Sequence, residues 1–395
     1  MNLNKRDVVI VGMARTPIGK FGGALSSKTA VELGIIVGKA ALERANIAPD
    51  QIDEVVTGTV YKTGLKGNPA RQIQLALEIP VAAGAATIEQ QCASGMRALE
   101  IGTQQIQLGK TDTCLVCGIE SMSNVPYLDM RARTGARMGA YKVEDGLMYD
   151  ALWDAFDGQH VAFTAERVAE QYGVTREECD ALAALSHERA IAAMEAGKFK
   201  DEIVPVEIVA RKGTTVVDTD EHPRKTTVED LAKMKPAFKK DGIVTAGNAS
   251  GMNDAACAMV ITSAEKAEEL GLKPLAVIRE SVTMGVAPEV MGIGPIYAIP
   301  KVLERAGLTK DDIDYYEINE AFAAQFLACN KVLELDMNKV NINGSGISLG
   351  HPVGCTGVRI VMETVMELHR QGKKLGCASL CVGGGPAMAT VVEAL

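Results

Sequence analysis

The sequence has no excess of positive charge, no unbroken apolar stretch long enough for a bilayer, and no paired metal-ligand pattern of cysteines. A formal net charge of −9 leaves no basic face for duplex nucleic acid, so any anionic ligand has to find a local basic patch. Of the longest charge-free stretches, residues 341–358 are interrupted by Gly, Pro, Asn and Ser, and residues 375–392 are split by Gly383-Gly-Gly-Pro386. Neither reads as a membrane span. The nine cysteines, at 92, 114, 117, 179, 257, 329, 355, 377 and 381, form neither a metal-ligand pattern nor a small-domain disulfide framework, which points to a reduced, cytoplasmic setting. Cys114 and Cys117 make a CxxC, but within Thr113-Cys-Leu-Val-Cys-Gly118 it reads as a buried strand. The first residues lack a small-residue cleavage site and lead into Val8-Val-Ile-Val-Gly12, which reads as a strand and not as an export signal.

What is present is a soluble globular composition, 47% apolar and 23% charged, in a chain of 395 residues that exceeds what one core usually organises. The chain also repeats itself. Ala41-Leu-Glu-Arg-Ala-Asn-Ile-Ala-Pro-Asp-Gln-Ile-Asp53 resembles Val302-Leu-Glu-Arg-Ala-Gly-Leu-Thr-Lys-Asp-Asp-Ile-Asp314. Ser94-Gly-Met-Arg97 aligns with Thr356-Gly-Val-Arg359, and the strand Cys114–Gly118 is matched to Ser379–Gly383. Two distant copies exclude a solenoid and favour a pseudo-twofold pair of domains. Strand-like runs (residues 8–11, 54–60, 112–117) alternate with helical ones (29–44, 96–108), the pattern of an α/β fold. Residues 123–245 follow neither copy; they hold a helical segment over 164–196 and then residues 198–240, with ten Lys/Arg against eight Asp/Glu. That stretch reads either as a solvated loop or as a cap that meets an anionic ligand.

Cys92 lies where a strand-like segment, Ile88-Glu-Gln-Gln-Cys-Ala-Ser-Gly-Met96, gives way to a helix. The positive end of the helix dipole is expected to favour its thiolate and supply a nucleophile, although a lone cysteine also reads as buried and inert. Three further polar clusters follow: Asn319-Glu-Ala-Phe-Ala323, Gly350-His-Pro-Val-Gly-Cys-Thr-Gly357 and Cys381-Val-Gly-Gly-Gly385. A lone His351 would more often be a satisfied core residue. The repeat sets it beside the helix that mirrors the Cys92 helix, so a Cys–His pair becomes geometrically plausible.

With these motifs, joined in order by Gly247-Asn-Ala-Ser-Gly-Met-Asn-Asp254 and Met291-Gly-Ile-Gly-Pro295, the sequence resembles the thiolase superfamily along essentially its whole length. The resemblance implies two duplicated βαβαβαββ domains in a five-layer αβαβα arrangement. The expected units are residues 1–122 plus 246–270, an inserted loop domain at 123–245 that caps CoA and makes oligomer contacts, and residues 271–395. It implies a homodimer or homotetramer, CoA as a substrate, and no metal or redox cofactor. Cys92 would attack the ketone carbon of a 3-oxoacyl-CoA, His351 would take its proton, and Cys381 would exchange the α-proton of acetyl-CoA. His351 with a water held by Asn319 would form one oxyanion hole, and the backbone N–H groups of Cys92 and Gly383 the other. Ser250, His160, Arg224, Ala321 and Phe322 would line the CoA channel and Met291 the acyl pocket. Four departures from the family pattern stand out: Glu89 three residues before the nucleophile, Val161 after His160, Cys355, and Pro386 after the last glycines. Acetoacetyl-CoA is the expected substrate. The alternatives are a longer, branched or aromatic 3-oxoacyl-CoA, or a non-catalytic acyl-CoA-binding or interaction protein on the same scaffold. A decarboxylating ketosynthase is disfavoured, because those enzymes typically carry His where Cys381 stands.

Overall fold

The computed structural model describes residues 3–211 and 213–395. In chain order the elements that position the site begin with β1 (Val8–Arg15), α1 (Ala30–Ala45), β2 (Glu54–Gly58), β3 (Gly84–Ile88), α2 (Ser94–Gln107) and β4 (Thr113–Ser121). An excursion carrying α3 (Ala162–Tyr172) and α4 (Arg176–Glu195) then precedes β5 (Asn253–Ser263). The second half holds β6 (Ala276–Gly285), α5 (Pro295–Ala306), β7 (Tyr315–Ile318), α6 (Ala323–Leu333), α7 (Val353–Gln371), β8 (Leu375–Cys381) and β9 (Pro386–Ala394).

These strands hydrogen-bond in the order β7-β8-β9-β6-β1-β5-β4-β2-β3, which reads the same from its centre outward in both directions. The centre is the antiparallel contact of β1 with β6, through Val8 with Ile278, Val9 with Val277 and Ile10 with Ala276. On each side an antiparallel strand follows (β5 or β9), then a pair of parallel strands (β4 with β2, or β8 with β7). The outermost parallel strand β3 has only a reduced counterpart, a single bridge between Tyr316 and Val340.

Side-chain alternation along the strands then sets the layers. On β4, Leu115, Cys117 and Ile119 join the core under α1, whereas Cys114 and Val116 join Met96 and Leu99 of α2 and Val358 and Val361 of α7. On β8, Ala378 and Leu380 face that same central helical layer, and Cys377 and Cys381 pack with Ile299 and Val302 of α5 on the outside. The order is therefore helix, sheet, paired central helices, sheet, helix, the five-layer arrangement expected from the sequence.

The repeat is visible in single hydrogen bonds. Asp53 Oδ2 accepts from the N–H groups of Asp112 and Thr113 at 2.8 and 3.0 Å; its counterpart Asp314 Oδ2 accepts from Lys374 and Leu375 at 3.0 and 3.1 Å. Strand register corrects one alignment, however. Glu54 lies beside Cys114 and its counterpart Tyr315 beside Gly376, so Cys114–Gly118 corresponds to Gly376–Leu380 and not to Ser379–Gly383. Both strands are buried almost throughout and rich in small apolar residues, so their sequences match almost as well three positions out of register.

The helix expected over 164–196 is two helices. Gly173 takes a left-handed conformation at φ 60° and ends α3, and Thr175 with Glu178 forms a capping box that starts α4. The excursion is pinned to both repeats by buried charge. Arg15 of β1 donates to Glu202 at 2.9 Å and to both oxygens of Asp220 at 2.7 and 3.0 Å, and Arg370 of α7 donates to Glu202, Glu363 and Glu367. Removing one partner would leave a buried charge uncompensated, which is strongly destabilising. No helix among the described residues is long and apolar enough to cross a membrane.

Candidate active site

Strand β3 ends at Ile88, and a tight turn follows before α2 begins at Ser94. Gln91 takes a left-handed φ of 46°, and Ser94 Oγ holds the turn by accepting from Gln90 N–H (2.9 Å) and donating to the Gln91 carbonyl (2.6 Å). This turn presents Cys92 just ahead of the helix. All nine cysteines are free thiols; eight are buried and Cys92 alone keeps partial exposure.

Burial pushes the Cys92 thiol up to about 11, and the charges of Glu120 and Glu89 add to the shift. The backbone N–H groups of Gly383 and of Cys92 itself point at the sulfur and oppose it. The sequence-based expectation of a helix-stabilised thiolate is thus corrected: desolvation outweighs the helix end, and the resting thiol stays protonated. Cys92 needs a base.

His351 is 5% exposed and sits just ahead of α7. Its Nδ1 lies 2.7 Å from Thr356 Oγ1, and that hydroxyl donates its own proton to the Pro352 carbonyl at 3.0 Å. Nδ1 therefore carries the ring hydrogen, and Nε2 keeps a lone pair. Burial and the nearby Arg359 charge pull the imidazolium down to about 3, so the ring is neutral at physiological pH. Nε2 accepts from Asn319 Nδ2 at 3.4 Å. Asn319 is fully buried, and its Oδ1 is an orphaned acceptor. Thr356 was not singled out in the sequence, because nothing local distinguishes a threonine in the first turn of a helix; only the fold brings it to the ring.

Cys381 ends β8 and is fully buried. Burial first, and then the proximity of Cys92, hold its thiol well above the ordinary value. Sulfurs far apart in sequence are thus electrostatic neighbours. The loop after β8 carries Gly383; a Cβ there would meet only Gln91, at 3.6 Å.

A cavity of ≈ 810 Å³ is bordered by His351 of this group. His351, Val353 and Met122 stand together in its lining, and Cys92 packs against the cluster that contains Met122 and Val353. His160, Ser250 and Phe322 line it, as does Val161. His160 stacks on Phe238 with ring centroids 4.3 Å apart, and burial holds it neutral with a pKa of about 4. Ser250 N–H donates to the Ala321 carbonyl at 2.9 Å, which joins two of the motifs. Trp153 and Phe163 also line the cavity and were not anticipated.

Three expected contacts lie elsewhere. Met291 is 3% exposed in the outer core with Phe326 and Ile299, because the segment before α5 turns it inward against α3. Ala321 is buried in the same core and contributes its carbonyl. Arg224 is exposed and borders a separate depression with Glu188, Lys225 and Asp230. Of the departures, Glu89 is exposed and accepts from Gln91 N–H at 2.6 Å, Cys355 is buried in the central core, and Pro386 opens β9 opposite Gly285.

Family models described as "Thiolase, N-terminal domain" and "Thiolase, C-terminal domain" match residues 8–265 and 272–394. The chain is 49% identical over 394 residues to an acetyl-CoA acetyltransferase of Syntrophomonas wolfei, covering 99% of this chain and 100% of that protein. It is 48% identical to one of Pseudomonas aeruginosa, covering 97% and 98%. Among solved structures, the Syntrophomonas wolfei acetyl-CoA acetyltransferase superposes with a TM-score of 0.97 at 51% identity over 100% of both chains. Human mitochondrial 3-ketoacyl-CoA thiolase superposes with a TM-score of 0.95 at 40% identity, covering 99% and 100%.

Proposed function

The chain belongs to the thiolase family and is an acyltransferase of that family, and from this premise we propose how its residues divide the CoA-dependent cleavage of acetoacetyl-CoA and the reverse condensation of two acetyl-CoA. His351 Nε2 takes the Cys92 proton as the sulfur attacks the C3 ketone carbon. The C2–C3 bond breaks, and its electron pair goes to C2 of the departing acetyl-CoA enolate. Cys381 protonates that carbon. Its raised pKa suits it to the task, since a thiol well above neutrality is held as an acid. The acyl group, now a thioester on Cys92, passes to the thiol of a fresh CoA. The incoming CoA thiol gives its proton to the Cys381 thiolate as its sulfur takes the acyl group, and His351 returns its proton to the departing Cys92 sulfur, so the cycle closes without a metal or redox cofactor.

Negative charge develops on the substrate oxygen at each step. The N–H groups of Cys92 and Gly383, already directed at the Cys92 sulfur, suit one oxyanion hole. For the other, the orphaned Asn319 Oδ1 supports the reading that this residue orients a water beside His351. The single observation that carries the reading is convergence of both repeats: His351 borders the apolar cavity and bonds Asn319, Cys92 packs against the cluster of Met122 and Val353 in the same wall, and Gly383 and Cys381 act on the Cys92 sulfur.

His160, Ser250 and Phe322 are assigned to CoA, with Arg224 at its nucleotide end outside the cavity. We assign residues 1–122 plus 246–270, 123–245 and 271–395 as the structural units and place the enzyme in the cytoplasm, in keeping with its free thiols. A homodimer or homotetramer is supported by two features: β3 leaves one edge of the sheet unpaired, and the ribbon joining Tyr127–Leu128 to Glu144–Asp145 exposes Tyr127, Met130 and Met138.

Val161 favours a second reading for the acyl group. It stands in the cavity wall with Leu152, Trp153 and Phe163, an apolar lining that suits a longer or branched chain. Thiolysis of a panel of 3-oxoacyl-CoAs tests both. The account predicts cleavage of acetoacetyl-CoA; no cleavage of any member by folded protein would leave an acyl-CoA-binding scaffold.

A further inference from the structure

Pseudo-twofold symmetry gives this molecule a second position related to the active site, and its residues are all different. Carried along the matched strands and helices, the correspondence sets Gly354 where Cys92 stands, Glu89 where His351 stands, Ile119 where Cys381 stands and Gly58 where Asn319 stands. The N–H of Gly354 is the counterpart of the Cys92 N–H assigned to the oxyanion hole. It does not face a cavity: it donates to Glu120 Oε2 at 2.8 Å.

Glu120 is fully buried near the end of β4. Its carboxylate accepts from four donors: Gly354 N–H (2.8 Å) and Val60 N–H (3.0 Å) on Oε2, and Thr59 Oγ1 (3.0 Å) and Tyr61 N–H (3.2 Å) on Oε1. No basic side chain among the described residues pairs with it. Burial pulls its pKa up to about 7 against these donors. The only side-chain partner is a hydroxyl, and every backbone partner is an N–H, so an acceptor with both oxygens free is what the site is shaped for. The space is closed as well: a Cβ on Gly354 would lie 2.6 Å from Thr59 Cα and 2.7 Å from Glu120 Oε2.

We propose that Glu120 is a positioning residue for the thiolase reaction: its carboxylate occupies the anion position of the retired second site and, by holding Gly354 N–H, fixes the start of α7 and with it the turn that carries His351. The contact is made from one repeat to the other, across the layer in which α2 and α7 meet. The same carboxylate orders Tyr61, whose hydroxyl donates to the Leu147 carbonyl at 2.8 Å just ahead of the cavity residues Met148 and Leu152. Glu120 thus orients the base from behind without touching substrate.

This inference rests on the assignment of Cys92 and His351 above, and its test separates the two. Glu120→Gln keeps the shape but turns an NH₂ group toward backbone N–H donors; Glu120→Asp keeps the charge but is one methylene too short to reach Gly354. For a misplaced base, kcat for acetoacetyl-CoA thiolysis should fall by about tenfold to a hundredfold in both, while KM for CoA changes less than about twofold. Histidine ¹⁵N NMR should at the same time lose the Nδ1-protonated signature of His351. Wild-type-like kcat in either folded variant overturns the proposal, as does an equal change in kcat and KM. If neither variant folds, Glu120 is a core element and the proposal fails. Absence of thiolysis in the wild-type protein would instead defeat the catalytic assignment itself.

Discussion

Two helices with matching sequences start side by side at the centre of this molecule, and in the proposed mechanism only one of them begins a reaction. Ahead of α2 the chain places a partly exposed Cys92, with two N–H groups aimed at its sulfur and an apolar cavity beyond. At the start of α7 the equivalent position is Gly354, whose N–H is taken by the Glu120 carboxylate and whose Cα has no room for a side chain. What separates them is who satisfies the helix end. A helix N-terminus left to the substrate is an anion site; one satisfied by a buried carboxylate is scaffold. The scaffold copy then carries the base, because fixing Gly354 fixes His351 just before it. In the proposed mechanism the two copies thus share one site, with nucleophile and base drawn from different copies.

The largest test of the comparison is removal of the nucleophile. Cys92→Ala should lower thiolysis on the order of 10⁴-fold or more and abolish the acyl-enzyme seen by mass spectrometry. An acyl group found on another cysteine of that variant would move the active start elsewhere.

The two glycines that face the two sites sharpen it further. Gly383→Ala adds a Cβ whose nearest neighbour is Gln91 at 3.6 Å, so it should fold normally yet lose about tenfold to a hundredfold in kcat by crowding the oxyanion position. Gly354→Ala adds one 2.6 Å from Thr59 Cα, and overpacking of that kind should cost about 1–3 kcal/mol of stability in a denaturant titration. The reverse pattern, with Gly383→Ala unstable and Gly354→Ala stable, would contradict the division into open and closed starts.

The smallest effect concerns the resting thiol. Only thiolate is alkylated, and Cys92 sits at about 11, so its reaction with iodoacetamide should accelerate about tenfold per pH unit from neutrality and level off near pH 11. His351, neutral down to about pH 3, should leave no inflection near pH 6.5. A plateau by pH 8 would mean that the two N–H donors outweigh desolvation.

Much of this arrangement is legible in the residues. The duplicated Leu-Glu-Arg-Ala segments mark two copies, and Asp53 and Asp314 keep the same pair of backbone bonds in both. Cys92, Asn319 and His351 stand in motifs whose polarity breaks an apolar or glycine-rich background. Other features depend on distance relations that the sequence does not contain. The sign of the Cys92 shift is one, since a helix end is visible in a motif but the desolvation around it is not. Thr356 and Glu120 are others, each an ordinary residue until a partner from a remote segment arrives. Met291 belongs with them, because a motif gives its order in the chain and not the direction in which its segment turns. The split between α3 and α4, by contrast, was written in Gly173 and in the Thr175-x-x-Glu178 box.

The claim on which all this rests is that one site, built from both copies, divides its work between two thiols. The direct measurement is the pair of partial reactions of Cys381→Ala with acetyl-CoA in D₂O. The account predicts that Cys92 is still acetylated at close to the wild-type rate, while deuterium entry into the acetyl methyl group falls on the order of 10³-fold. Retained exchange, or loss of both partial reactions together, would contradict it.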